Sequence, residues 1–381
     1  MSAVEVDFLS ESALADPYPA YAHLRRDAPV YWDEASGAWL VTRYGDCVEV
    51  LRDSTRFTSD PAHAGVPVPA TSYTLQTMDP PEHHALRGLF TAAYRARDLD
   101  SLTAGLNAFA ASRLTGLAGR RPVDLLADYF KPLALHAITE LVGIPETHRT
   151  AVALAAEAMA ASMDGVFDKA RQAAAISSRA ALSGIVDRCM RAPGKHGIIA
   201  HVARHYREAG VERDVAVHSF RLLLSPGYMS VASAAANAFV TLQAHASRLI
   251  DWDEDIAVEE LLRFSGPVQA LGRMCRDDLD FHGFSLRRGD LVLAMLGSAN
   301  RDEDRFTDPD QLLLGRRPNP HVAFGWGVHS CLGALLAKVV IRTAIGRLER
   351  LFPNVALAGT PGYTDQAVVR CPNTVLVHLE P

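Results

Sequence analysis

Apolar residues recur every three or four positions along most of this chain, and the breaks in that rhythm mark its organisation. "PYPAYAHLRRDAPVYW" predicts a short helix running into a strand, and "AWLVTRYGDCVEVLRD" a strand, a turn and a helix. From Arg56 to Met78 the rhythm lapses into a stretch rich in Pro, Gly, Ser and Ala, which predicts a long coil of the kind that forms lids and binding segments. From His83 to about Arg248 nearly everything reads helical. In the Ala-rich run 151–185 the larger apolar residues keep helical spacing, predicting two helices broken near Asp164-Gly165, and "RAPGKHG" reads as a loop. "DIAVEELLRF" predicts a helix closed by Ser-Gly-Pro. The period then shortens: "LDFHGFSLRRGDLVLAML" predicts strands with turns at Gly283 and Gly289-Asp290. A Pro-punctuated coil leads to a helix from Leu332 to Phe352, and "VVRCPNTVLVHLEP" predicts a β hairpin. The fold class is mainly α with a small β part.

Composition narrows the function classes. The chain has 381 residues, 49% hydrophobic and 22% charged, with net charge −6 and both signs interspersed. That is globular composition without the basic stripe of a nucleic-acid binder. No run approaches the roughly 20 apolar residues that span a bilayer. The start lacks the basic-then-apolar pattern of a leader, so a soluble, cytoplasmic protein is expected. Only four of the 38 basic residues are lysine, which suggests a GC-rich bacterial genome. The five cysteines, Cys47, Cys189, Cys275, Cys331 and Cys371, include no CxxC pair. A disulfide framework, a zinc ribbon and an iron–sulfur cluster are not expected.

Cys331 stands apart. It lies in "FGWGVHSCLG", a glycine-rich loop directly before a helix. Free N–H groups and the helix dipole there favour an anion and predict a lowered thiol pKa. The glycines allow tight turns and close approach to a flat object. One thiolate without a second soft ligand suits a haem iron, where it donates electron density and favours O–O cleavage. Taken alone, a cysteine is more often an inert buried thiol or a catalytic one of another kind.

The loop resembles the haem-binding FGxGxHxCxG pattern of the cytochrome P450 family at Phe324, Gly325, Gly327, His329, Cys331 and Gly333. Other family features follow in order over nearly the whole chain. Glu260 and Arg263 form ExxR, and Arg316 in "GRRPNPH" completes the family's Glu–Arg–Arg network. The resemblance implies one domain over residues 1–381, with haem b between a long central helix and the cysteine loop. Cys331 would be the iron ligand. The cations expected on the haem carboxylates are His83 and Arg87 in "DPPEHHALR", Arg273 and His321, with His84 facing solvent. The pocket would draw on the loop 58–77, Tyr228, Val268, Gln269, Ala270 and Leu271, and the segment Gln366 to Val369, with Tyr228 and Gln269 as polar anchors.

The central helix departs from the family. Where AGxET or AGxDT is usual, this chain has "SPGYMS", with Gly227 retained, Met229 for the acid and Ser230 for the threonine. Pro226 removes a backbone donor and predicts a kink. The acid–alcohol proton route is incomplete, because Met229 carries no proton. The resemblance implies dioxygen activation to oxidise or hydroxylate a small apolar natural product in bacterial specialised metabolism, with Ser230, water or the substrate relaying protons. The departure leaves open phenolic or C–C coupling, use of another small oxidant, and a haem protein without turnover. With no flavin or nicotinamide fingerprint, electrons are expected from a ferredoxin and ferredoxin reductase. The ferredoxin would dock near Arg95, Arg97 and Lys338 on a monomer.

Overall fold

The structure, a computed structural model, describes residues 6–120, 122–162 and 169–379. The expected break near Asp164-Gly165 lies outside the described residues. Short helices α1 (Glu11–Ala15) and α2 (Tyr18–Asp27) lead into strands β1 (Val30–Asp33) and β2 (Ala38–Val41), then α3 (Tyr44–Arg52) and β3 (Phe57–Thr58). The loop that follows carries only a single 3₁₀ turn before α4 (Glu82–Arg95). The helical half is α5 (Leu99–Leu117), α6 (Lys131–Val142), α7 (Arg149–Ala161), α8 (Lys169–Arg191), α9 (Ile198–His205), α10 (Arg213–Ala244) and α11 (Glu254–Ser265), with β4 (Val123–Asp124) inserted after α5. Strands β5 (Leu271–Cys275), β6 (Leu279–Phe281), β7 (Phe284–Leu286) and β8 (Leu291–Ala294) come next. The chain closes with α12 (Leu296–Ala299), α13 (Ala334–Leu351), β9 (Ala356–Leu357) and β10 (Leu376–His378).

The main sheet has the order β1-β2-β8-β5-β3, parallel only between β2 and β8. Ala38, Leu40 and Val41 of β2 are buried because the sheet is covered by α2 on one side and α3 on the other. The tail does not form the expected hairpin. β10 pairs instead with β4 and β9, while Val369 bridges to Val268 and Tyr363 to Pro372. Pro372 has no N–H to give a continuous ladder.

α10 is the axis of the helical core. It spans 32 residues and is buried from Val231 to Phe239 on every side, packing on α6, α7, α8, α11 and α13. The small side chains of "VASAAANAF" allow that enclosure while favouring helix. The helix runs unbroken through Pro226, so the proline costs a hydrogen bond without ending the element. No helix among the described residues is long and apolar enough to cross a membrane.

Candidate functional site

The cysteine loop closes on itself. Cys331 N–H donates to the Phe324 carbonyl (2.9 Å) and Gly325 N–H to that of Val322 (2.8 Å). Gly325 and Gly327 adopt left-handed φ of +67° and +74°. At Gly327 a Cβ would stand 2.8 Å from the Leu51 carbonyl, so the end of α3, not a flat ligand, demands glycine there. Gly333 caps α13 at φ −88°, and a Cβ would meet only the Cys331 sulfur at 3.8 Å.

Cys331 is exposed, yet protein atoms crowd the thiol enough that burial raises its pKa. The Gly333 N–H and the Arg87 charge pull the other way and lose. The lowered pKa expected at a helix start is therefore reversed for the bare thiol. Coordination to a metal is what deprotonates such a group.

Around the thiol stands a set of cationic and donor groups. His83 is fully buried, and among the described residues neither ring nitrogen has a partner. Burial, reinforced by His329 and Arg87, lowers its pKa to about 4. Its ring lies 4.5 Å from that of His329, whose Nδ1 is also buried without a partner. Arg87, one turn after His83, makes no ion pair among the described residues; His84 points to solvent. Arg273 is buried, among the described residues its side chain donates only to the Gly272 carbonyl (2.8 Å), and burial pushes it down to about 10. Buried polar groups ordinarily have partners. Buried ring nitrogens without partners, beside two arginines that pair with no carboxylate among the described residues, suit the propionates of a haem.

His321 does not join them. Its Nε2 pairs with Glu259 (2.9 Å) and its Nδ1 accepts from Ala323 N–H (3.2 Å). Glu259 also takes Lys338 at 2.8 Å. Burial pushes the Glu259 carboxyl up, but the bonds from His321 and Lys338 outweigh it and hold it at about 2. His329, not His321, is the histidine whose ring lies against His83 with a buried, unpartnered nitrogen. The motif spacing already contained His329, but the spacing alone does not say which of two nearby histidines turns inward.

Glu260, Arg263 and Arg316 are brought together as expected. The Arg263 Nε and Nη2 donate to Glu260 at 2.7 and 2.8 Å, and Arg316 Nε to both oxygens at 3.1 and 3.0 Å. Leu313 N–H and Asn319 add bonds to the same carboxylate. The remaining guanidinium hydrogens meet carbonyls of Asn300, Thr307, Asp308, Pro309 and Gln311. The network thus pins the coil that delivers the cysteine loop.

On α10, Ser225 donates to the Ala156 carbonyl (3.1 Å), and the Tyr228 hydroxyl to Glu157 (3.0 Å), which also holds Lys131 (2.9 Å). A Cβ at Gly227 would sit 2.7 Å from Ile138. These residues face α6 and α7, which corrects the pocket role expected of Tyr228. Ser230, about 200° further round the helix, turns away from α7. Eleven positions back, about 20° off, Ser219 receives the Leu75 N–H (3.0 Å), so this face looks to the loop 56–78. Among the described residues the Ser230 hydroxyl has no hydrogen bond, while Ser233 donates to the Met229 carbonyl (2.8 Å). Gln269 is likewise no polar anchor: it is buried, donating to the Gly266 carbonyl (2.7 Å) and accepting from Tyr21 (3.4 Å). Ala270 packs in the same α2-side core, Val268 bridges to Val369, and Leu271 lies against Gly325.

Comparison with known proteins bears on this arrangement. The family described as Cytochrome P450 matches residues 255–354. The chain is similar to Nocardicin C N-oxygenase of Nocardia uniformis subsp. tsuyamanensis, 35% identical over 91% of this chain and 90% of that protein. It is similar to Vitamin D(3) 25-hydroxylase of Pseudonocardia autotrophica, 32% identical over 92% and 90%. The solved structure of the Bacillus subtilis 168 bacillaene polyketide synthase cytochrome P450 PksS superposes with a TM-score of 0.87 at 26% identity, covering 99% of this chain and 100% of that one.

Proposed function

This chain belongs to the cytochrome P450 family of oxidoreductases, and from that premise we propose that it hydroxylates a small, largely apolar natural product. Haem is the cofactor of the family, which acts on small molecules with electrons from a redox partner. In the proposed reading the haem is haem b, which supplies the iron centre for dioxygen activation. Cys331 is its ligand. His83, Arg87, Arg273 and His329 hold its carboxylates, with Phe324, Gly325, Gly327 and Gly333 shaping the loop. The observation that carries this reading is a buried polar cluster without partners among the described residues: three ring nitrogens on the adjacent rings of His83 and His329.

Ser230 is the one hydroxyl at the family's threonine position and is free of intrahelical bonds, which supports a role in holding a proton-bearing water or substrate group. The redox partner in this reading is a ferredoxin with its reductase, meeting a cytoplasmic monomer on the face of Arg95, Arg97 and Lys338. Arg95 is exposed, while Lys338 is already paired with Glu259.

The test is spectroscopic and catalytic. Purified protein should show the sulfur-ligated band of the ferrous carbonyl adduct, and members of a natural-product library should shift the haem spin state. Restoring the pair with M229E/S230T should raise the share of electrons that reach product. If that variant gains nothing or loses turnover, hydroxylation gives way to a coupling reaction assisted by the substrate's own polar groups.

A further inference from the structure

We propose that Asp79 is a positioning residue that locks His329 in place and, through it, sets how tightly the protein holds haem; the inference rests on the haem reading above. Asp79 precedes α4 and is only 3% exposed. Its carboxylate accepts from His329 Nε2 (3.0 Å), from the Thr58 hydroxyl, and from Ser59 N–H (3.1 Å). Three separate elements thus meet on one side chain: the end of β3, the start of α4 and the cysteine loop. With Nε2 committed to Asp79, the His329 ring can turn neither over nor away, and Nδ1 is left buried beside the His83 ring. Asp79 is also the acid whose charge bears on both His83 and Arg273. Burial pushes its own carboxyl up, but the bonds from His329 and Thr58 outweigh it and hold it at about 2. The side chain is therefore a fixed anion within the cation set, and its role is orientation, not reaction.

The test compares holoenzymes. D79N keeps the shape and removes the charge. Haem should pass to excess apomyoglobin about tenfold faster, the worth of one charge-assisted hydrogen bond. The reduction potential should move in the positive direction, because an anion near the iron is gone. The sulfur-ligated carbonyl band should persist, since Cys331 is untouched. In an H329F background, D79N should add little to the haem-transfer rate, because that effect runs through the ring, while the shift in potential, a direct effect of the charge, should remain. Haem transfer from D79N at the wild-type rate, whatever the potential, or effects of D79N and H329F on that rate that simply add, would overturn the assignment. Should D79N fail to fold, T58V leaves the carboxylate and removes one of its supports; faster haem transfer with an unchanged circular dichroism spectrum supports the proposal, and a wild-type rate refutes it. If the wild type itself lacks haem or the sulfur band, the haem reading fails and this inference with it; a sound wild type and an inert D79N sink the inference alone.

Discussion

Replacing Glu260 by Gln should be among the most damaging single substitutions outside the cysteine loop. The glutamate is fully buried and is the shared anion of two guanidiniums, Arg263 with a buried side chain and Arg316 nearly so. Gln keeps the size and one acceptor oxygen but removes the charge, so two buried cations lose their counter-ion together. Breaking a buried pair from one side costs about 3–5 kcal/mol. The carbonyls of Asn300, Pro309, Thr307, Asp308 and Gln311 still accept from both arginines, which keeps the cost near that range rather than twice it. Against a total stability of about 5–15 kcal/mol, the loss is a large fraction. With a urea slope of about 4 kcal/mol/M, above the about 1–3 of small proteins, the midpoint should fall by roughly 1 M. Equilibrium unfolding followed by circular dichroism reads this directly. The double variant E260Q/R316Q should recover part of the loss, since it removes one stranded charge. A midpoint within ~0.2 M of wild type, or a double variant as unstable as the sum of its parts, would refute the view that charge pairing holds this coil.

Further outcomes follow from local geometry. G327A should destabilise by about 1–3 kcal/mol, since its φ of +74° and a Leu51 carbonyl 2.8 Å from the new Cβ both resist the change, whereas G333A at φ −88° should be nearly silent in thermal unfolding. Glu259 has a folded pKa of about 2, below the unfolded value of about 4.3. Its contribution is thus present above the unfolded value and lost as pH falls towards 2, so E259Q should flatten the acid limb of stability below about pH 4.5 when unfolding is measured at stepped pH.

Much of this architecture was legible because the governing interactions are local. Helix period, the Gly283 and Gly289-Asp290 turns and the closing Ser-Gly-Pro of α11 depend on a few adjacent residues, and the structure has them as the pattern implies. The Glu260–Arg263 pair was legible for the same reason, three residues apart on one helix. What local pattern does not determine is partner choice across the fold. β10 pairs with β4 and β9 rather than with the segment just before it in the expected hairpin, because sheet register answers to strands further off in the chain. His321 and His329 are chemically alike in the sequence; only the placement of Glu259 on α11 and of Asp79 before α4 sorts them. Tyr228 and Gln269 looked like polar anchors because a helix or strand shows no direction until its neighbours are known. Asp79 itself lay in the quoted "DPPEHHALR", with nothing nearby to reveal that its partner is 250 residues away.

The departures in the central helix divide by the face on which they fall. Ser225, Gly227 and Tyr228 each answer to a neighbouring helix: a carbonyl of α7, the Ile138 side chain, and the Glu157–Lys131 pair. Those identities are accounted for by packing and by the desolvation cost of burying a hydroxyl without a partner. Met229 and Ser230 have no such account. Met229 is only partly buried against the core, and among the described residues the Ser230 hydroxyl has no hydrogen bond to fix it. Packing therefore does not require the loss of the acid, and it does not require serine in place of threonine. Because packing fixes neither identity, M229E/S230T should fold as the wild type does, with an unchanged urea midpoint, so that any change in the share of electrons reaching product reports on chemistry and not on the helix.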